Sequence, residues 1–159
     1  MRYRALLTGT LVALCATGTA ASPLPDALEE WRLASEDVTP LKTASEDLGR
    51  WTRRVYVRQA PKGYLEVNLM EGTGPGPLRA DKNAGAEADS SAVQSADTDC
   101  TVLEAAGRKA VLERHPLLPL SLTVAVSPDA TLTLESHSTN ADELTHLATI
   151  AISELESKQ

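Results

Sequence analysis

The chain contains no phenylalanine, and beyond Tyr3 its aromatic side chains are Trp31, Trp51, Tyr56 and Tyr64. Its core must therefore rest on Leu, Val and Ile, each contributing about 1.5–3 kcal/mol when fully buried, with Ala filling the gaps. Cysteine is as scarce, with Cys15 and Cys100 the two in 159 residues. Basic residues are outnumbered, 15 Lys and Arg against 22 Asp and Glu, for a net charge of −7. A surface of that sign repels phosphate backbones, so no nucleic-acid partner is expected. No apolar run approaches the roughly 20 residues that cross a bilayer as a helix, so no transmembrane span is expected.

What stands at the N-terminus is an export grammar. Arg2 and Arg4 precede a short apolar run from Ala5 to Leu14, and small residues follow at Gly18, Thr19, Ala20 and Ala21. A basic start, a short apolar segment and a small-residue cleavage site define a secretory signal peptide over residues 1–21. The protein is thereby expected outside the cytosol, in the periplasm or the extracellular space. The competing reading is a lipid anchor on Cys15. Bacterial lipoprotein signals want a small residue before the modified cysteine, and the bulk of Leu14 speaks against it. Once the leader leaves, Cys100 has no intramolecular partner. It is then either a buried small hydrophobe or a reactive thiol.

Residues 22–49 read as an N-terminal helix or arm. Pro25 suits a first helical position, and Leu24, Leu28 and Trp31 recur at near-helical spacing. The two Ala-Ser-Glu-Asp tetrapeptides at Ala34–Asp37 and Ala44–Asp47 are too short and too close to define a repeat architecture.

From Arg50 the period becomes two. Trp51, Arg53, Val55 and Val57 alternate with Thr52, Arg54, Tyr56 and Arg58, and Tyr64 to Met70 alternates again beyond a turn at Ala60–Gly63. The Gly- and Pro-rich stretch from Gly72 and the polar Ala/Ser/Asp segment up to Asp99 are expected to form a flexible loop over 72–99. Two further strands, Thr101–Ala105 and Arg108–Arg114, flank a turn at Ala106-Gly107. A second hairpin joins Leu120–Val126 to the Leu132 and Leu134 strand through Ser127–Ala130. Asn140 and Glu143 then make a capping box for a last helix, whose apolar face carries Leu144, Leu147, Ala148, Ala151 and Leu155. The expected fold is α+β over residues 50–157: an antiparallel sheet of about six strands with the C-terminal helix packed on one face.

Candidate chemistry is sparse. Gly72, Gly74 and Gly76 do not open a helix, and Pro75 and Pro77 remove donors, so they do not form a phosphate-cradling loop. His115, His137 and His146 lack metal-ligand spacing. Cys100 and His115 form a formal Cys/His pair without a visible orienting group, and Ser121, Ser136 and Ser138 sit in no nucleophile elbow. No metal and no cofactor is expected, and no catalytic residue is assigned. One cluster is less routine: Arg50, Arg53, Arg54, Arg58 and Lys62 place five cations and no acid within thirteen positions of an acidic chain. Arg54, Tyr56 and Arg58 share a strand face, and forked guanidinium hydrogen bonds suit carboxylates and phosphates. These three are the candidate contact residues for a protein partner or a small anionic ligand. The alternative is that the arginines pair with the chain's own carboxylates across strands.

Several short stretches also carry a resemblance. Leu24-Pro-Asp with Trp31, Trp51-Thr-Arg-Arg-Val-Tyr56, Ala106-Gly-Arg-Lys-Ala110, Glu113–Pro116 and Leu134-Glu-Ser before the capped helix resemble a loose group of uncharacterised bacterial secreted proteins with a PsbP-like α/β arrangement. That resemblance implies an antiparallel sheet flanked by helices and an accessory or binding role, and it assigns no functional residue. The expected function is thus an exported, non-enzymatic binding or accessory module. A small exported enzyme assembled from distant residues and a lipid-anchored envelope protein remain the alternatives.

Overall fold

In the computed structural model, which describes residues 23–72 and 98–158, a single antiparallel sheet of eight strands curls into a half-barrel. In chain order the elements are β1 (Ala27–Leu28), β2 (Trp31–Lys42), β3 (Asp47–Gln59), β4 (Lys62–Glu71), β5 (Asp99–Ala105), β6 (Arg108–Arg114), β7 (Leu120–Ser127), β8 (Ala130–Ser136) and α1 (Ala141–Ser157). Across the sheet they run β1-β2-β3-β4-β8-β7-β6-β5. The expected leader, Cys15, and nearly all of the expected 72–99 loop lie outside the described residues.

This arrangement corrects the expected α+β sheet of about six strands: the described fold is mainly β, with eight strands and one helix. The difference lies in residues 23–42, which form β1 and β2 where a helix or arm was expected. Leu24, Leu28 and Trp31 are fully buried, but they reach the core by a tight reversal at Glu29-Glu30. Pro40 stands on the outermost long strand, beyond the short cover of β1. There a missing N–H is tolerated, whereas a helix interior would be broken. β2 is solvated on both faces from Ser35 to Pro40. A strand of that kind carries no hydrophobic alternation to betray it.

The concave face is the core. Tyr56, Leu65, Val67, Leu69, Leu112, Leu122, Val124, Leu132 and Leu134 point inward and are buried. The helix lies against them through Leu144, Leu147, Ala148, Ala151, Ile152 and Leu155. It touches β7, β8 and both terminal strands, β1 and β5, and so closes the open side of the half-barrel. The Asn140 side chain accepts the Glu143 amide at 2.9 Å, with Asp142 and Glu143 in the positive first turn. At the far end, Lys158 Nζ donates to the carbonyl of Pro23 at 3.1 Å, and Arg108 Nη2 meets Glu156 Oε1 at 2.6 Å.

The β5–β6 hairpin turns through Ala106 at φ 52° and Gly107 at φ 69°. Both central residues are left-handed, the geometry that matches strand twist in a two-residue hairpin. Glycine takes this region freely and alanine does not. Replacing exposed Ala106 with Asn, which tolerates that region, is expected to raise stability by up to about 1 kcal/mol in a denaturant titration.

Candidate functional site

The basic segment sits on β3 and the start of β4, and strand parity divides it. Thr52, Arg54, Tyr56 and Arg58 are in register with Leu69, Val67, Leu65 and Gly63, and they share the concave side. Arg54, Tyr56 and Arg58, expected as a contact face, are only 4%, 0% and 7% exposed. Arg54 Nη1 donates to the carbonyls of Leu24 and Pro25 at 2.7 and 2.8 Å and meets Asp26 at 3.2 Å, while its Nε donates to Glu36. The Tyr56 hydroxyl donates to the Pro25 carbonyl at 2.6 Å, and burial pushes its pKa up. Arg58 Nη1 bridges Glu30 at 2.8 Å and Glu143 at 2.5 Å, and its guanidinium lies 4.4 Å over the Trp31 ring. This face therefore clamps the N-terminal segment and the first turn of α1 to the sheet.

The other two arginines are engaged as well. Arg53 makes a two-pronged bond to Glu66, at 2.8 and 2.6 Å, which holds the Glu66 carboxyl below its ordinary pKa and raises that of Arg53. Arg50 Nε reaches Glu71 at 2.6 Å. Of the five basic residues, Lys62 remains. It is exposed, and among the described residues no carboxylate pairs with it.

Lys62 lines a cleft of about 310 Å³ together with Val57, Gly63, Tyr64, His137 and Ser138. Its floor is fixed where β4 meets the end of β8. Backbone pairing of the two strands begins at Glu66 and Glu135. Below that point two serines continue the ladder: Ser136 Oγ donates to the Tyr64 carbonyl at 2.7 Å, and Ser138 Oγ accepts the Tyr64 amide at 3.1 Å. Only glycine fits at position 63, since a Cβ there would stand 2.7 Å from the Trp31 ring and 2.9 Å from Ser138 Oγ. The cleft thus has a rigid backbone wall, an aromatic flank in half-exposed Tyr64, and two cationic or potentially cationic groups, Lys62 and His137. Among the described residues no carboxylate lines it. A larger groove of about 640 Å³ along Val38, Pro40 and Gly49 differs in this respect, because Asp47 and Glu71 offset its Lys42 and Arg50.

The remaining sequence candidates are placed apart from this cleft or otherwise engaged. Cys100 is exposed on β5, in register with Glu113. Partial burial, with Glu113 and Asp99 nearby, pushes its thiol pKa up, which is the reverse of nucleophile activation. His115 Nδ1 accepts the Leu117 amide at 3.1 Å, and His146 Nε2 lies 2.7 Å from Glu29. On the convex face Glu135 stands in register with Glu66, and burial together with Glu66 and Glu113 raises its pKa. No cluster of three or more His, Cys, Asp or Glu able to hold a metal occurs among the described residues, and none of their helices is long and apolar enough to cross a membrane.

Comparison with known proteins found no matching family model, curated protein or solved structure, so nothing from that side bears on the PsbP-like resemblance.

Proposed function

We propose that this chain is an exported, non-enzymatic binding module that takes a small anionic ligand in the cleft between β4 and β8. The reading rests on one observation: of five clustered cations, four are locked to the chain's own carboxylates, and among the described residues Lys62 has no carboxylate partner and lines a cleft without acids. An ammonium beside an imidazole attracts a carboxylate, and the Tyr64 and Val57 walls take up a short apolar body. The leader grammar of residues 1–21 supports a periplasmic or extracellular setting for that binding.

Benzoate is a suitable probe, since it combines one carboxylate with one small ring. Titrating it against the amide resonances of Lys62, Gly63 and Ser138 is expected to give saturable shifts confined to that rim. Lys62→Glu is expected to weaken the binding at least about tenfold without lowering the melting temperature, because an exposed charge is being reversed. Equal binding by Lys62→Glu, or shifts that never saturate, would remove the reading.

A further inference from the structure

Residues 23–28 form a short strap joined to β2 by the reversal at Glu29-Glu30. Neither residue of that bend is glycine, yet Glu29 turns at φ 52°, a left-handed conformation that a side chain with a Cβ enters at a cost. The strap itself is deeply seated. Leu24 and Leu28 are fully buried, and the Leu24 and Pro25 carbonyls accept from Arg54 and Tyr56. The Asp26 carbonyl accepts the Leu33 amide at 3.0 Å, and that of Pro23 accepts from Lys158 at 3.1 Å. Ala27 and Leu28 pair with Arg32 and Trp31. All of these partners lie beyond the hinge, so the sheet and the end of α1 hold the strap much as they would hold a separate peptide.

A second copy of the chain presents the identical seat. Moving the strap into that seat keeps each of these contacts and changes the bend alone. With the hinge extended, residue 29 takes ordinary extended backbone, and the left-handed strain is released twice per dimer. Short strained hinges favour exchange of this kind. The hinge's own ties resist it weakly. His146 meets Glu29 at 2.7 Å, but both side chains are more than half exposed, and such pairs contribute little. Arg58 still holds Glu143 when Glu30 moves away. What opposes exchange is the entropy of association, which protein concentration offsets.

We infer that a second copy of this chain is a partner for the strap: residues 23–28 exchange between two protomers, giving a closed twofold dimer in which each copy's Arg54 and Tyr56 hold the other's strap. This inference does not depend on the anionic cleft: benzoate binding and dimerisation are separate readouts.

A disulfide trap reads the exchange directly. Ala27 and Arg32 are exposed and opposite each other on β1 and β2, within the usual reach of a cross-strand disulfide. Ala27→Cys/Arg32→Cys is placed in a chain whose Cys15 and Cys100 are replaced by Ser. Refolded at high concentration and then oxidised, it is expected to run as an interchain-bonded dimer on a non-reducing gel. Refolded dilute, it is expected to run as an intrachain-bonded monomer. Light scattering on hinge variants supplies the second measurement. Glu29→Pro, whose ring fixes φ at about −65°, is expected to raise the dimer association constant at least about a hundredfold. Glu29→Gly takes the left-handed bend freely and is expected to lower it at least about tenfold. Should Glu29→Pro fail to fold, the glycine variant and the trap decide. Intrachain bonds alone at every concentration, dimers whose disulfides stay intrachain, or a glycine variant as dimeric as its parent would each overturn the inference.

Discussion

Leu147→Asp is expected to leave no folded protein at 25 °C, seen as loss of the cooperative thermal transition and of amide dispersion. Leu147 is fully buried in the middle of α1, among Leu144, Ala148, Ala151 and the inward leucines of the sheet. An ionised carboxylate there would be stripped of water among apolar side chains, and burying even its protonated form without a matched hydrogen bond is costly. A domain of this size has about 5–15 kcal/mol of stability in total, and the helix is what covers the concave face. Losing its seat exposes both surfaces at once. Leu147→Ala supplies the graded companion, expected to lose about 2–5 kcal/mol by transfer and cavity terms while still folding.

The second large effect concerns Arg54. Substituting Met keeps much of the side-chain length and removes the charge, leaving the Leu24 and Pro25 carbonyls and Glu36 without their shared donor. Removing one partner of a buried charged network typically costs about 3–5 kcal/mol, which for a domain of this size means a fall in Tm of about 10–20 °C. Arg53→Met, one position along the strand and on the convex side, removes an exposed pair and is expected to leave the Tm almost unchanged. The contrast separates a clamp from a surface ion pair. If both variants lost stability equally, parity would not be what distinguishes them, and the buried role assigned to Arg54 would fail.

The sequence and the structure part company at β3 for a physical reason. Its outward face carries Trp51, Val55 and Val57 beside a single Arg53, whereas its inward face carries Thr52, Arg54 and Arg58 beside Tyr56. Alternation alone therefore pointed the wrong side of the strand to solvent. The signal that resolves it lies in β4, whose Leu65, Val67 and Leu69 can only be core, and whose register carries Arg54 and Tyr56 inside with them. The elements whose chemistry is local were easier to read: the Ala106-Gly107 turn, the Leu120–Leu134 hairpin, and the Asn140 cap with its apolar stripe. Ile152 also belongs to that stripe, although the i, i+3, i+4 pattern passed over it.

The candidate cleft was harder, because it depends on subtraction. The cluster of five cations is plain in the sequence, but which one stays unpaired is decided by Glu30, Glu36, Glu66, Glu71 and Glu143, the last of them 85 positions from Arg58. Nothing local to Lys62 marks it. Ser136 and Ser138, which hold the cleft floor, looked like ordinary strand-end polar residues until their partner, the Tyr64 backbone, was in place.

The bond from Lys158 to the Pro23 carbonyl has an engineering corollary. It brings positions 23 and 158 within one side-chain length of each other, so a few glycines could splice them directly. The resulting ring could be cut instead at the Ala106-Gly107 bend, yielding a circular permutant whose new ends emerge on the opposite hairpin with every strand pairing preserved. Such a rewired chain would report whether α1 must be made last to cap a finished sheet or serves equally well as the centre around which the strands gather.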